Sequence, residues 1–288
     1  MERRTIRFFG GTTGAAAATI AVVLASCSNA GTAAAEPRQA DSGTSGDMVI
    51  EVSSGGGLAP PAVRVSDSLP RIWIGGDGRY LRQTSKSGSP AVIALEERRI
   101  PDAALAGLIQ DARAAGLLDV DPDYGDPPVA DAMVTRVVVV TGGTRHTVLI
   151  SALGYPGLDL PEDAVSARTR LTKFLDTLEH PERMAGASGP SDYAPAEMAV
   201  FVLGSAASSI QTTPAPWPLG DLGTAGVATD WPDRSARCLV ITGSQIAAVV
   251  SAAAGNDRFA PWRSEDGLWD LALRPLLPDE HSCADVLG

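Results

Sequence analysis

The sequence predicts an α+β protein: two small domains, each an antiparallel sheet with one or two covering helices, after a signal peptide and a flexible tether. Three observations lead there. Strand-like apolar runs recur in pairs around Gly or Asp-Gly turns, two stretches carry a clean helical period, and segments rich in Gly and Pro separate the blocks. Gly and Pro make up 51 of 288 residues, above the average usage of roughly 12%, which marks a loop-rich chain. The 44% of hydrophobic residues still suffices for a core, and wholesale disorder is excluded.

Order is expected to begin at Met48, with a strand over Met48–Val52 closed by Gly55-Gly56-Gly57. Arg71–Ile74 and Arg79–Leu81 flank Gly75-Gly76-Asp77-Gly78, a hairpin signal. A further short strand is placed at Ala91–Leu95. Pro101 and Asp102 suit a helix start, and Leu105, Leu108, Ile109 and Ala112 form one stripe that Gly116 ends. Thr135–Thr141 and Thr144–Ile150 flank Gly142-Gly143, a second hairpin. A helix over Glu162–Glu179 follows, with Val165, Leu171, Phe174, Leu175 and Leu178 as its inner face. Residues 181–195 read as a linker between domains at 48–180 and 196–288. In the second half, strands are expected at Glu197–Leu203, Cys238–Ile241 and Leu268–Leu273. Ser244 is placed as the cap of a helix that runs to Ala254 and ends at Gly255. The two halves do not align as a repeat.

The N-terminus reads as an export signal. Arg3, Arg4 and Arg7 precede a stretch from Phe8 to Leu24 of apolar, Gly and Thr residues, which leads into Leu24-Ala25-Ser26-Cys27. That ending resembles the lipobox of bacterial lipoproteins. The resemblance implies removal of residues 1–26 and a diacylglycerol on the sulfur of Cys27, with acyl chains enough for stable anchoring. The alternatives are an ordinary secretory signal or a membrane helix, for which some 17 diluted apolar residues are marginal. Residues 27–47, small and polar without a hydrophobic period, then read as a tether spanning about 25 Å.

Charge excludes one class of partner. The chain carries 23 basic and 34 acidic residues, net −11, and losing the three Arg and one Glu of the signal leaves net −13. Nucleic acid is not an expected partner. With Cys27 lipidated, Cys238 and Cys283 are the Cys that remain, and outside the cytoplasm two such thiols pair; two buried free thiols are the alternative. No cofactor and no metal is expected. Asp119, Asp121 and Asp123 alternate as in a calcium loop, but the position that should be Gly is Tyr124 and the closing acid is Ala130, so a solvated acidic turn is the reading. Catalytic residues are not assigned, since no nucleophile elbow or zinc-protease motif occurs, although distant residues can assemble a triad around His146 or His281. Trp217 and Trp231, each beside a Pro, are a candidate ligand platform for sugars or proline-rich peptides, against the plainer role of packing over a core.

The lipobox, Pro70–Arg79, Ala114–Leu117 and Arg274–Cys283 together resemble envelope lipoproteins of actinobacteria. This resemblance implies a lipid-anchored location on the extracytoplasmic face of the cytoplasmic membrane and names no activity. The first half is also faintly similar to emfourin-type metalloprotease inhibitors, in a strand ending in Gly-Gly, a helix ending Ala-Gly-Leu and a hairpin. The expected role is non-catalytic binding or scaffolding. Its partners would be the membrane, through the lipid on Cys27, and an envelope protein or cell-wall ligand. A protease inhibitor or protein-interaction module, and an envelope hydrolase with a dispersed site, are the alternatives.

Overall fold

Two antiparallel-rich sheets and four helices make up the computed structural model, which describes residues 46–56, 58–84, 90–206, 213–265 and 267–287. The expected signal peptide, Cys27 and all but the end of the expected tether lie outside the described residues. The α+β class expected from the sequence is what the chain adopts.

The first sheet has seven strands: β1 (Met48–Gly55), β2 (Ile72–Gly75), β3 (Arg79–Gln83), β4 (Leu95–Arg99), β5 (Val134–Thr141), β6 (Thr144–Ser151) and β7 (Ser191–Asp192). Their order is β6-β5-β1-β2-β3-β4-β7, antiparallel throughout. Both expected hairpins form. Gly142 and Gly143 hold φ of 56° and 73°, the mirror-image turn that suits the twist of paired strands. Val137 and Val139 pack on one face of the sheet and Val138 on the other, which is why the run reads as continuously apolar rather than alternating. A register shift between Met48 and Ile50 rotates the start of β1, so Met48 joins the opposite face from Ile50 and Val52.

Two helices cover one face of this sheet: α2 (Asp102–Ala114) and α3 (Glu162–Glu179). Leu108 and Ala112 of α2 meet Leu171, Phe174, Leu175 and Leu178 of α3 over Ile50, Ile72, Ile74 and Val139. Tyr80 is buried beneath α3 and donates its hydroxyl to Leu178 O at 2.7 Å; burial raises its pKa well beyond the ordinary tyrosine range.

The second sheet runs β10 (Val227–Ala228), β11 (Arg237–Thr242), β8 (Glu197–Ser205), β13 (Gly267–Pro275), β12 (Trp262–Ser264) and β9 (Ala215–Pro216), in that order. Met198, Val200 and Val202 face α4 (Ser244–Ala253), while Ala199 and Phe201 face the other way. Against that other face lies α1 (Pro61–Asp67), a helix from the first half of the chain, with Val65 buried beside Phe201, Ala272 and Leu276.

The halves therefore interlock. Val92 bridges Leu273 of β13, Pro90 bridges Asp257, and Leu277 from the tail packs with Trp73, Leu81 and Val138 on the open face of the first sheet. Arg274 is 2% exposed and holds both Glu280 oxygens at 2.6 and 2.8 Å and Ser68 O at 3.2 Å. It thereby ties β13 and the tail to the end of α1. All described residues belong to one compact unit. Segment 181–195, expected as a linker, carries β7, and Tyr193 donates its hydroxyl to Leu276 O at 2.8 Å.

Three local expectations are corrected, and one short helix is added. The strand expected at Ala91–Leu95 lies instead at Leu95–Arg99. Its charges are matched across neighbouring strands, Glu96 with Arg82 at 3.2 Å and Glu97 with Arg79 at 3.0 Å, so a run that looks like a surface loop holds a ladder. Helix α1 has too short a period to read and is stabilised by the sheet beneath it. Ser244 is the first helical residue rather than the cap, a place taken by Gly243 with φ of 51°. Val165 is 46% exposed, because the buried positions are Ala164, Ala167, Arg168 and Leu171, and Val165 sits a third of a turn away from them.

Candidate functional site

Helix α3 lines two concave surfaces. Glu162 and Asp163 occupy its first turn, where carboxylates favour the helix dipole, and the stripe from Ala164 to Leu178 is buried on the first sheet. One member of that stripe is charged. Arg168 is 8% exposed, and four carbonyl oxygens surround its guanidinium: Tyr124 O receives Nε–H at 2.5 Å, Ala152 O receives Nη1–H at 3.2 Å, and Nη2 donates to Gly125 O at 3.0 Å and Ser151 O at 2.8 Å. Arg168 forms no ion pair among the described residues. Burial lowers its pKa, and the charge of Asp126 works against that shift.

The backbone around Arg168 is shaped to present those carbonyls. Ala152 takes φ of 51°, a conformation costly for a residue with a Cβ, and aims its oxygen at the guanidinium. Gly125 has φ of 66°, a left-handed conformation that favours glycine, and a Cβ there would press on Leu160 Cδ2 at 2.8 Å. The acidic turn at 119–125 thus gathers around a protein cation. Asp123 accepts Gly125 N–H at 2.7 Å, and Tyr124 donates its hydroxyl to Ala115 O at 2.8 Å, with its pKa pushed up to about 12 by burial and the Asp119 charge. Among the described residues no group of three or more His, Cys, Asp or Glu has the geometry to hold a metal ion.

Beside Arg168 opens a groove of about 630 Å³ between α3 and the loop that follows β6. Leu153, Tyr155, Leu158, Leu160 and Val165 give it apolar walls, while Arg168, Lys173 and Asp176 are its charged lining. Tyr155 and Val165 are 44% and 46% exposed, so the walls face solvent. Thr169 and Thr172 also line it, but each donates its hydroxyl to a carbonyl of α3 at 2.8 Å. On the other flank of α3 a second hollow of about 410 Å³ lies against α2, lined by Leu108, Asp111, His180, Arg183 and Met184. The two hollows share Asp176.

The residues singled out in the sequence fall elsewhere. Cys238 of β11 and Cys283 of the tail form a disulfide, with Cα atoms 6.2 Å apart, which pins the tail over the face that α1 also covers. Trp217 and Trp231 are not brought together. Trp217 is buried edge-on against Trp262 in the core under α4, with ring centres 5.6 Å apart. Trp231 is half-buried on the opposite face of the same sheet, edge-on to Phe201 at 5.3 Å. His281 lies 3.3 Å from Glu197 Oε2 with three-quarters of its side chain exposed, away from both hollows. His180 caps α3, its Nδ1 2.8 Å from Asp176 O, and His146 is half-buried in β6 opposite Val139.

Sequence reasoning passed over the α3 groove because it discounts a charge on an inner helical face. The readable sign was the position of Arg168, in step with Ala164, Leu171, Leu175 and Leu178. No family model, curated protein or solved structure matches the chain.

Proposed function

We propose that this chain is a lipid-anchored protein of the extracytoplasmic face of the cytoplasmic membrane, and that it binds a ligand without catalysis along the groove beside α3. The observation that carries the reading is the Leu24-Ala25-Ser26-Cys27 sequence behind a basic and apolar leader. The Cys238–Cys283 disulfide agrees with it, since such bridges persist where the surroundings are oxidising. Residues 27–47 serve as the tether, and tether and body together carry net −13 once the leader is gone. An anionic lipid surface repels that charge, so the acyl chains hold the protein while the body stands off.

Binding rather than chemistry is favoured by the groove itself. It is open and walled by apolar side chains, and its threonine hydroxyls are committed to helix carbonyls. Replacing Cys27 with Ala tests the anchor. The expected result is release of the protein from sedimented membranes in the native host; full retention of the variant overturns the reading.

A further inference from the structure

We infer that the groove beside α3 takes a small carboxylic acid carried on an apolar body. This rests on the proposed binding role and specifies its ligand. Arg168 brings a full positive charge to the groove while 92% of its surface is withdrawn from water. Its partners are four carbonyl dipoles, and no carboxylate neutralises it within ion-pair reach among the described residues. Carbonyls satisfy hydrogen bonds but leave the charge in place, and a poorly solvated charge favours a counter-ion more strongly than one in bulk water. Among the described residues, these four hydrogen bonds leave one Nη1 hydrogen without a protein acceptor.

Lys173 lines the same groove five residues along α3, and it is one of only two lysines in a strongly acidic chain. The carboxylates nearby are Asp126, whose field reaches Arg168, and Asp176, at the end shared with the second hollow. The remaining walls are Leu153, Tyr155, Leu158, Leu160 and Val165. One anionic contact surrounded by apolar surface fits an acid with a short hydrocarbon body. A volume of about 630 Å³ is in the range of small-molecule sites. The carboxylate is paired with the two cations of that lining, Arg168 and Lys173.

The test uses the full chain purified in detergent and calorimetric titration with N-acetyl-leucine, its neutral N-methylamide, and an acetylated tetrapeptide ending in a free leucine carboxylate. The acid is expected to bind, and the amide to bind at least about tenfold more weakly, as the loss of a charge-assisted hydrogen bond implies. Lys173→Glu is expected to weaken the acid by about tenfold or more, whereas Arg113→Glu, which makes the same charge change on the exposed side of α2, leaves it unchanged. Equal affinity for acid and amide, an equal effect of the two charge reversals, or no binding of the acid overturns the inference. So does a tetrapeptide that binds tenfold tighter than the acid, because the occupant is then a protein terminus. Membrane release of the Cys27→Ala protein is read separately, so failure of the ligand assignment and failure of the anchor remain distinct.

Discussion

Replacing Arg168 with Met is the sharpest probe of how the groove is held open. Met keeps the aliphatic length of the side chain and deletes four hydrogen bonds from a charged donor. Counted singly at about 1.5–3 kcal/mol each, those bonds would sum to more than a marginally stable fold can lose. Two corrections reduce the figure. Removing the guanidinium relieves its own desolvation, which is several kcal/mol, and the Gly125 and Ser151 bonds are only partly buried, so water can replace them. What stays is the stranding of Tyr124 O and Ala152 O, whose bonds are buried. At about 1–3 kcal/mol each, a net loss of about 3 kcal/mol is expected. For a chain of this size that is a fall in Tm of roughly 6–12 °C, measurable by calorimetry. Arg168→Lys keeps the charge but reaches fewer carbonyls, and should recover about half of the loss. A Met variant within about 1 kcal/mol of the parent, or a Lys variant equal to it, would refute the clamp.

Other expectations follow from the same structure. Opening the Cys238–Cys283 bridge by a double Ser substitution frees residues 45 positions apart; the chain-entropy model puts the loss at about 4 kcal/mol, read as a lower urea midpoint. Leu171→Ala, at a fully buried position, should cost about 2–5 kcal/mol, while Val165→Ser on the open side of the same helix should stay within about 0.5 kcal/mol. A Val165 variant as costly as the Leu171 variant would mean that the helix face is misassigned. The Asp279 pKa is raised to about 6, chiefly by desolvation from the chain packed around it, with the Glu280 and Glu51 charges adding to the rise. Although its outer side meets solvent, the folded protein holds that proton more tightly than the unfolded chain does. Its ionisation therefore lowers stability as pH rises from about 4 to about 6, and the loss persists above that window. Asp279→Asn should accordingly raise the unfolding midpoint at pH 7.5 and leave it unchanged at pH 4; an equal shift at both values would discount the titration.

Much of the fold was legible in local pattern. The hairpin at Gly142-Gly143 and the helix over Glu162–Glu179 lie where turn chemistry and period place them, because both depend on neighbours a few residues apart. Strand β4 was not, since LEERR becomes a strand only when β3 brings Arg82 opposite Glu96 and Arg79 diagonally within reach of Glu97. Helix α1 was hidden for the same reason: its seven residues are held by Phe201 and Ala272, well over a hundred positions away. The groove was the least readable feature. Arg168 meets carbonyls from residues 124, 125, 151 and 152, and no window of sequence displays that meeting.

Local pattern and composition were enough for the α+β class, the hairpins and long helices, the pairing of Cys238 with Cys283, and the expectation of a lipid anchor at Cys27. Each rests on period, turn residues, cysteine arithmetic or a short motif, all properties of neighbouring residues or of composition. Tertiary structure decided the rest: that the halves share α1 and the tail, that Trp217 and Trp231 turn away from each other into separate cores, and that a buried arginine lines a groove with apolar walls. The physical reason is that side-chain burial and charge compensation are set by residues distant in the chain, and only folding brings those residues together.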